Sequence, residues 1–215
     1  MKRTIIYSAF LIPFFLFLTF LFLLYSLPKA VVLDSLLSRF GLSLLAQRVE
    51  ERTFAVLFEG VSLYRGGERL AQMEKLSLSI TPLGISLSGR CGGGSLALRL
   101  RWRRELELHL KRATCISGFR SLEGKIRLSE GSVWGRLKAK GVELRGLNLD
   151  SADLDFEGES FKGRLLYGGM ELRGGGRLRL NLKNPDRTYV DASFKGSLGT
   201  VHLRGRLSSI SVQMR

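Results

Sequence analysis

Two neighbouring segments of the chain read LALRLRW at positions 96–102 and ELELHLK at positions 105–111. Leucine or tryptophan occupies every second position of both segments, and most positions between them are charged. Successive side chains of a β-strand point to opposite faces, so the pattern predicts two strands with one apolar and one wet face each. Strands of a parallel sheet covered by helices are apolar on both faces, so an antiparallel sheet is favoured.

The same alternation recurs along the chain, in segments 76–81, 133–140, 152–157, 178–183 and 201–204. Glycines separate these segments and predict a long antiparallel meander of about ten or eleven strands. The triplets Gly92–Gly94 and Gly174–Gly176 are interpreted as turns, because each precedes an alternating segment. The apolar face must be buried, and a sandwich, a barrel-like closure and a curled sheet with an open groove all satisfy this requirement.

The leader, residues 1–27, has a different chemistry from the rest. Ile5–Leu27 is an uncharged run of 23 residues, and a helix of about 20 apolar residues crosses a bilayer. We therefore predict a cytoplasmic tip and a transmembrane anchor; a cleaved signal peptide, with its shorter apolar region, is the alternative. Lys2 and Arg3 favour a cytoplasmic N-terminus, which places the main domain in the periplasm of a bacterium with an inner and an outer membrane.

Residues 28–52 are predicted to form an amphipathic helical segment, because leucine, valine and phenylalanine recur there at spacings of three and four. Such a helix either caps the end of the sheet or lies on the membrane surface. The β domain is then residues 53–215, in a mainly β chain.

The apolar face of the sheet is the candidate binding site, as a groove for lipid. Its predicted lining residues are Leu96, Leu98, Leu100, Leu137, Leu154, Leu178, Leu180, Leu182 and Leu203. The chain carries a net charge of +15, and part of this charge surrounds Trp102. We expect contacts with anionic phospholipid or lipopolysaccharide headgroups from Arg99, Arg101, Arg103 and Arg104.

No catalytic or metal-binding constellation is evident, so the sequence predicts neither an enzyme nor a cofactor. His109 and His202 fall on the polar side of their strands. The acidic residues Asp150, Asp153, Asp155 and Glu157 lack the spacing and glycine of a calcium loop, and we interpret them as a solvated strand face. An exported, anchored domain also argues against nucleic acid as the partner of the basic residues.

Cys91 and Cys115 are 24 residues apart and neither belongs to a metal or redox motif. A bridge between neighbouring strands is one interpretation if the domain is exported, and two unpaired thiols are the other.

The order of these features resembles the type II secretion system protein N family (GspN), within the wider AsmA-like group. The resemblance rests on the anchor, Pro28 and the segment after it, Gly60-Val61-Ser62-Leu63, and the strand starts at Gly124 and Gly205. It implies a single-pass inner-membrane protein with a periplasmic β domain, accessory to the secretion apparatus and in contact with its other inner-membrane proteins. A weaker resemblance, to the LptC kind of lipopolysaccharide-bridge protein, implies an apolar groove that transfers lipid.

Overall fold

A computed structural model describes Phe15, Thr19 and residues 29–39, 41–81, 84–101, 105–144, 147–181, 187–197, 199–206 and 209–214. One helix precedes the sheet, α1 (Lys29–Arg39). The strands are β1 (Leu42–Leu45), β2 (Arg48–Arg52), β3 (Ala55–Arg65), β4 (Glu68–Thr81), β5 (Gly84–Cys91), β6 (Gly94–Arg101), β7 (Glu105–Ala113), β8 (Phe119–Ser129), β9 (Ser132–Leu144), β10 (Leu147–Gly158), β11 (Ser160–Tyr167), β12 (Met170–Arg179), β13 (Tyr189–Gly196), β14 (Gly199–Arg206) and β15 (Ser209–Met214).

All fifteen strands belong to one antiparallel sheet, and from β3 onward each strand pairs with its neighbours along the chain. β1 and β2 lie at one edge, both paired with β3, and β15 lies at the other edge. No pairing joins the two edges within the described residues, so the sheet is open. The predicted antiparallel meander is confirmed, and of the arrangements that the sequence allowed, the open sheet is the one observed. The predicted number of ten or eleven strands is wrong.

The predicted helical segment 28–52 is correct only for its first half. α1 ends at Arg39, and Leu42–Leu45 and Arg48–Arg52 pair with β3 in one continuous register. The same leucine spacings suit a short helix and an alternating strand, and hydrogen bonding to β3 decides for the strand. α1 packs its Ala30 and Leu33 against the core, so it caps the sheet.

The predicted anchor lies outside the described residues, apart from Phe15 and Thr19. Among the residues that the structure does describe, no helix has the length and apolar character needed to cross a membrane.

The hairpin of β5 and β6 is shorter than its neighbours, and another segment fills the space beyond its tip. Ile116 pairs with Ala71 of β4, and the Gln72 amide donates to the Cys115 carbonyl at 2.9 Å. A disulfide joins Cys91, at the hairpin tip, to Cys115 in this segment, with the Cα atoms 4.9 Å apart. The bridged form of the two interpretations is therefore the one observed.

Several strands change the parity of their buried residues near the middle. Phe58 and Val61 are both buried in β3, and Ala139 and Val142 are both buried in β9. A glycine with positive φ lies between the members of each pair, Gly60 at 60° and Gly141 at 56°. A left-handed residue within a strand re-aims the side chains that follow it, and the pairing register runs through both glycines without an extra residue. These glycines therefore keep both halves of a long strand facing the same core.

Gly174–Gly176 does not form the predicted turn, because all three residues lie inside β12. A Cβ atom at Gly174 would meet the Ser193 carbonyl oxygen, and one at Gly175 would meet the Phe161 carbonyl oxygen. Neighbouring backbones thus approach β12 from both sides too closely for any side chain. The other triplet is a turn only at Gly92 and Gly93, since Gly94 begins β6.

Candidate functional site: the apolar face of the open sheet

The two ends of the strands differ, and we name them first. The rim is the end at which the turns Thr53–Phe54, Glu130–Gly131 and Glu159 join consecutive strands. The base is the opposite end, with the turns Gly66–Gly67 and Gly168–Gly169. From β2 onward, turns alternate between the two ends because each connection joins antiparallel neighbours.

The inner face, which carries the core, consists of apolar rows that run across the strands. The row nearest the rim contains Ile80, Ile85, Leu100, Leu106, Leu128 and Val133, each opposite the next in register. A row nearer the base contains Ala113, Leu122, Ala139, Ala152, Leu165 and Leu172. Neither row contains a charged residue.

Burial differs between these two rows. Every member of the base row is buried. In the rim row only Val133 is buried, while Leu100 is 41% exposed and the other four are partly exposed. Apolar side chains that are partly covered by their own sheet leave surface for another molecule, so the rim side of the inner face is where an apolar ligand would fit.

The structure places seven of the nine predicted groove leucines on the inner face, in β6, β9, β10, β12 and β14, and an eighth, Leu180, directly follows the end of β12. Leu98 lies opposite Leu87 and Leu108, and Leu137 lies opposite Leu154. None of the eight is fully buried, and Leu182 lies outside the described residues. The residues that form the buried core are largely others, among them Val56, Phe58, Val61, Leu76, Leu122 and Phe194.

Helix α1 covers the inner face at the first strands. The Ala30 amide donates to the Glu51 carboxylate at 3.0 Å, which holds the start of the helix at the rim. A cavity of about 290 Å³ remains between the helix and the sheet, lined in part by Leu33, Leu44 and Phe58. The apolar face is thus partly covered at its first edge.

The outer face is held by ion pairs that cross from strand to strand. Arg136 donates two hydrogen bonds to Asp153, at 2.8 and 2.6 Å. This bidentate contact lowers the pKa of the Asp153 carboxyl below its usual value, against the opposing effect of partial burial. Arg127 on β8 contacts Glu105 on β7 at 2.8 Å, and Lys75 on β4 contacts Glu59 on β3 at 3.0 Å.

The candidate headgroup residues lie on this outer face. Arg99 is exposed and lies opposite Ser86 and Glu107. Arg101 is exposed and its Nη1 is 3.8 Å from Glu105 Oε2, so its charge is partly balanced. Arg103 and Arg104 lie outside the described residues. The structure therefore brings two of the four arginines to the wet side of the rim, on the face opposite the leucines.

The other polar residues singled out from the sequence do not form a reactive centre in the part of the chain that the structure describes. Asp153 and Asp155 both face Arg136 across the β9–β10 pair, the latter at 3.6 Å. His109 is 3.9 Å from Glu107. Across the described residues, no group of three His, Cys, Asp or Glu side chains is placed to hold a metal ion.

Trp134 is a feature that the sequence reasoning missed. It lies on the outer face between Arg127 and Glu157 and is 51% exposed. A depression of about 530 Å³ beside it is lined by charged side chains, including Lys125 and Lys138. Trp134 lies between Val133 and Gly135, which are inward positions of β9, so alternation alone predicts that its large apolar side chain points outward.

The protein is thus an open antiparallel meander with a helix over its first strands and an apolar inner face that is incompletely covered. The chain is 33% identical over 208 residues to a protein of Aquifex aeolicus (strain VF5) that is described as uncharacterized, and the match covers 94% of this chain and 93% of that protein. The chain belongs to the family of this Aquifex aeolicus protein. No family model matches it. No solved structure matches it either.

Proposed function

We propose that this protein is a bacterial inner-membrane protein, anchored by residues 1–27, whose periplasmic β domain holds an apolar chain against its inner face. The ligand class is an acyl lipid, a phospholipid or a lipopolysaccharide. The observation that carries the proposal is the contrast between the buried base row and the partly exposed rim row, with Leu100 at 41% exposure.

Physical chemistry favours a ligand at this surface. Covering apolar surface contributes roughly 25 cal/mol per Å², so an acyl chain lying along several partly exposed leucines gains free energy from each of them. The rows cross many strands without a charge that would need to be desolvated. A lipid headgroup beyond the rim would come near the exposed Arg99 on the outer face.

Two features support an inner-membrane anchor with a periplasmic β domain. The run Ile5–Leu27 has the length and apolar character of a membrane span. The Cys91–Cys115 disulfide is the kind of bond that persists outside the reducing cytoplasm.

Lipid retention by the full-length protein tests the proposal. Leu98→Asp places a charge on the inner face, and we expect the purified variant to lose lipid that the wild type carries, as measured by extraction and mass spectrometry. Ala97→Asp is the matched control, because Ala97 is the adjacent residue of the same strand and points to the outer face. We expect it to retain the lipid.

Circular dichroism of both variants separates loss of binding from loss of folding. A folded Leu98→Asp variant without lipid supports the groove. Two results contradict the groove: wild-type protein that carries only the annular lipid around its anchor, or a folded Leu98→Asp variant with unchanged lipid. Unfolding of this variant alone indicates that the leucine face is a closed core.

The second candidate is an accessory role in type II secretion, supported by the resemblance to the protein N family. In this role the charged outer face and the anchor would contact other inner-membrane components of the apparatus. Co-purification with such components from cross-linked membranes tests it, and their absence from the cross-linked material would count against it.

A further inference from the structure

The exposed apolar side chains of α1 and the sheet gather at the rim. Among the described residues of these elements, the large apolar side chains with high exposure are Val31, Leu45, Val49, Phe54, Leu100 and Trp134. All except Leu45 and Val49 lie on the rim half of their element. Phe54, at 55% exposure, occupies the turn between β2 and β3, and Val31, at 64%, lies near the start of α1.

The start of α1 is fixed at the same place. Its Ala30 amide is bonded to Glu51, which lies three residues before Phe54. The apolar run ends at Leu27, and three residues of chain reach at most about 10 Å. If the run spans a bilayer, the rim of the first strands must therefore lie close to the surface of that bilayer.

We infer that the rim of β2 and β3 rests on the bilayer that holds residues 5–27, with Phe54 and Val31 as its apolar contacts. The inference rests on the anchor of the proposed function. We assign a bilayer to this surface because the apolar run ends three residues before Ala30 and because the exposed apolar side chains lie at the same end of the sheet. Aromatic and aliphatic side chains at a membrane surface are stabilised by partial burial among the headgroups.

This orientation gives the groove a direction. From β4 to β8 the rim row is partly exposed, and from β7 to β12 the base row is buried, so the accessible part of the inner face opens at the strand ends on the membrane side. The source of the ligand is then a lipid of the anchoring bilayer, which could bring its acyl chain to the rim row.

Depth-dependent quenching in the full-length protein tests the orientation. The native Trp102 and Trp134 are replaced by Phe, and a single tryptophan is introduced as Phe54→Trp at the rim or Tyr64→Trp near the base. Phe54 directly precedes β3 and Tyr64 lies near its other end. Ten residues of strand separate the two positions by about 33 Å. The protein is reconstituted into vesicles of phosphatidylethanolamine and phosphatidylglycerol in which some acyl chains are brominated near the glycerol.

We expect Phe54→Trp to lose most of its fluorescence in brominated vesicles and Tyr64→Trp to keep its own. Val31→Trp is a second rim variant, and we expect it to lose most of its fluorescence too. If one of the two rim variants does not fold, the other still tests the orientation. Equal quenching at rim and base, stronger quenching at the base, or none at either end overturns the inference. The lipid retention of Leu98→Asp is measured separately, so failure of the orientation is distinguishable from failure of the groove.

Discussion

Arg136 and Asp153 show how a single pair of residues stabilises the sheet. They lie on adjacent strands, and the guanidinium donates two short hydrogen bonds to the carboxylate. The pKa of Asp153 is lowered in the folded protein, first by this hydrogen bond and then by the charge of Arg136 against partial desolvation. The pair therefore adds stability at a pH above the unfolded-state pKa of about 3.9, and this stability is lost as the pH falls through the folded-state value.

We predict that Asp153→Asn lowers the free energy of unfolding at neutral pH by about 1 kcal/mol, a value between those of exposed and hydrogen-bonded charge pairs. The difference from the wild type should shrink as the pH falls from about 4 through the lowered folded-state pKa, because the wild-type carboxyl becomes protonated over this range. Thermal unfolding followed across this pH range measures both effects.

Asp191→Asn is the control for that series. Asp191 is 3.8 Å from Arg204 and both side chains are more than half exposed, so its loss should change stability less. A difference between Asp153→Asn and the wild type that stays constant down to pH 2 would show that the charge of Asp153 is not what the substitution removes.

At the residue scale, the sequence predicts which face a side chain takes better than how deeply it is buried. Alternation assigned Leu98 and Leu137 to the inner face, and the register confirms both positions. Burial depends on how closely the sheet curls over itself, which alternation does not encode. For the same reason, the buried core contains Val61, which follows the positive-φ Gly60, a change of parity that the leucine pattern does not reveal.

At the element scale, the Cys91–Cys115 disulfide joins the tip of the β5–β6 hairpin to the segment that crosses beyond it. The two cysteines are 24 residues apart in sequence. Closing a loop of this length reduces the entropy of the unfolded chain and stabilises the folded protein by about 3 kcal/mol. The bridge also holds Ile116 beside Ala71 of β4.

We predict that the double variant Cys91→Ala/Cys115→Ala loses stability of that size in chemical denaturation. Wild-type protein in reductant is the matched comparison and should show a similar loss. Free thiols titrated in the purified, oxidised wild type, or a double variant as stable as the wild type, would contradict the bridge.

Two elements differ from what the sequence predicts, for physical reasons. Leu42–Leu45 joins the edge of the sheet because β3 offers hydrogen-bond partners, which the local spacing of leucines cannot report. β12 contains Gly174–Gly176 because neighbouring backbones press on it from both sides. Glycine in a strand marks such a close approach as well as a turn, and only the paired strands distinguish the two.

At the scale of the whole molecule, the meander follows from the sequence, whereas its openness does not. One-sided apolar strands are equally compatible with closed and open arrangements, because alternation defines a face and not its cover. The open form becomes evident only from the unpaired edges at β1, β2 and β15 and from the partly exposed rim row.

The proposed acyl chain lies on the inner face near the rim. Photo-cross-linking in intact cells is its most direct test, with a benzophenone amino acid placed in the full-length chain at Leu98 or at Ala97. These adjacent residues of β6 point to opposite faces. We predict a lipid adduct at position 98 and little or none at position 97, identified by mass spectrometry; the absence of lipid at 98, or equal adducts at both positions, would contradict the proposal.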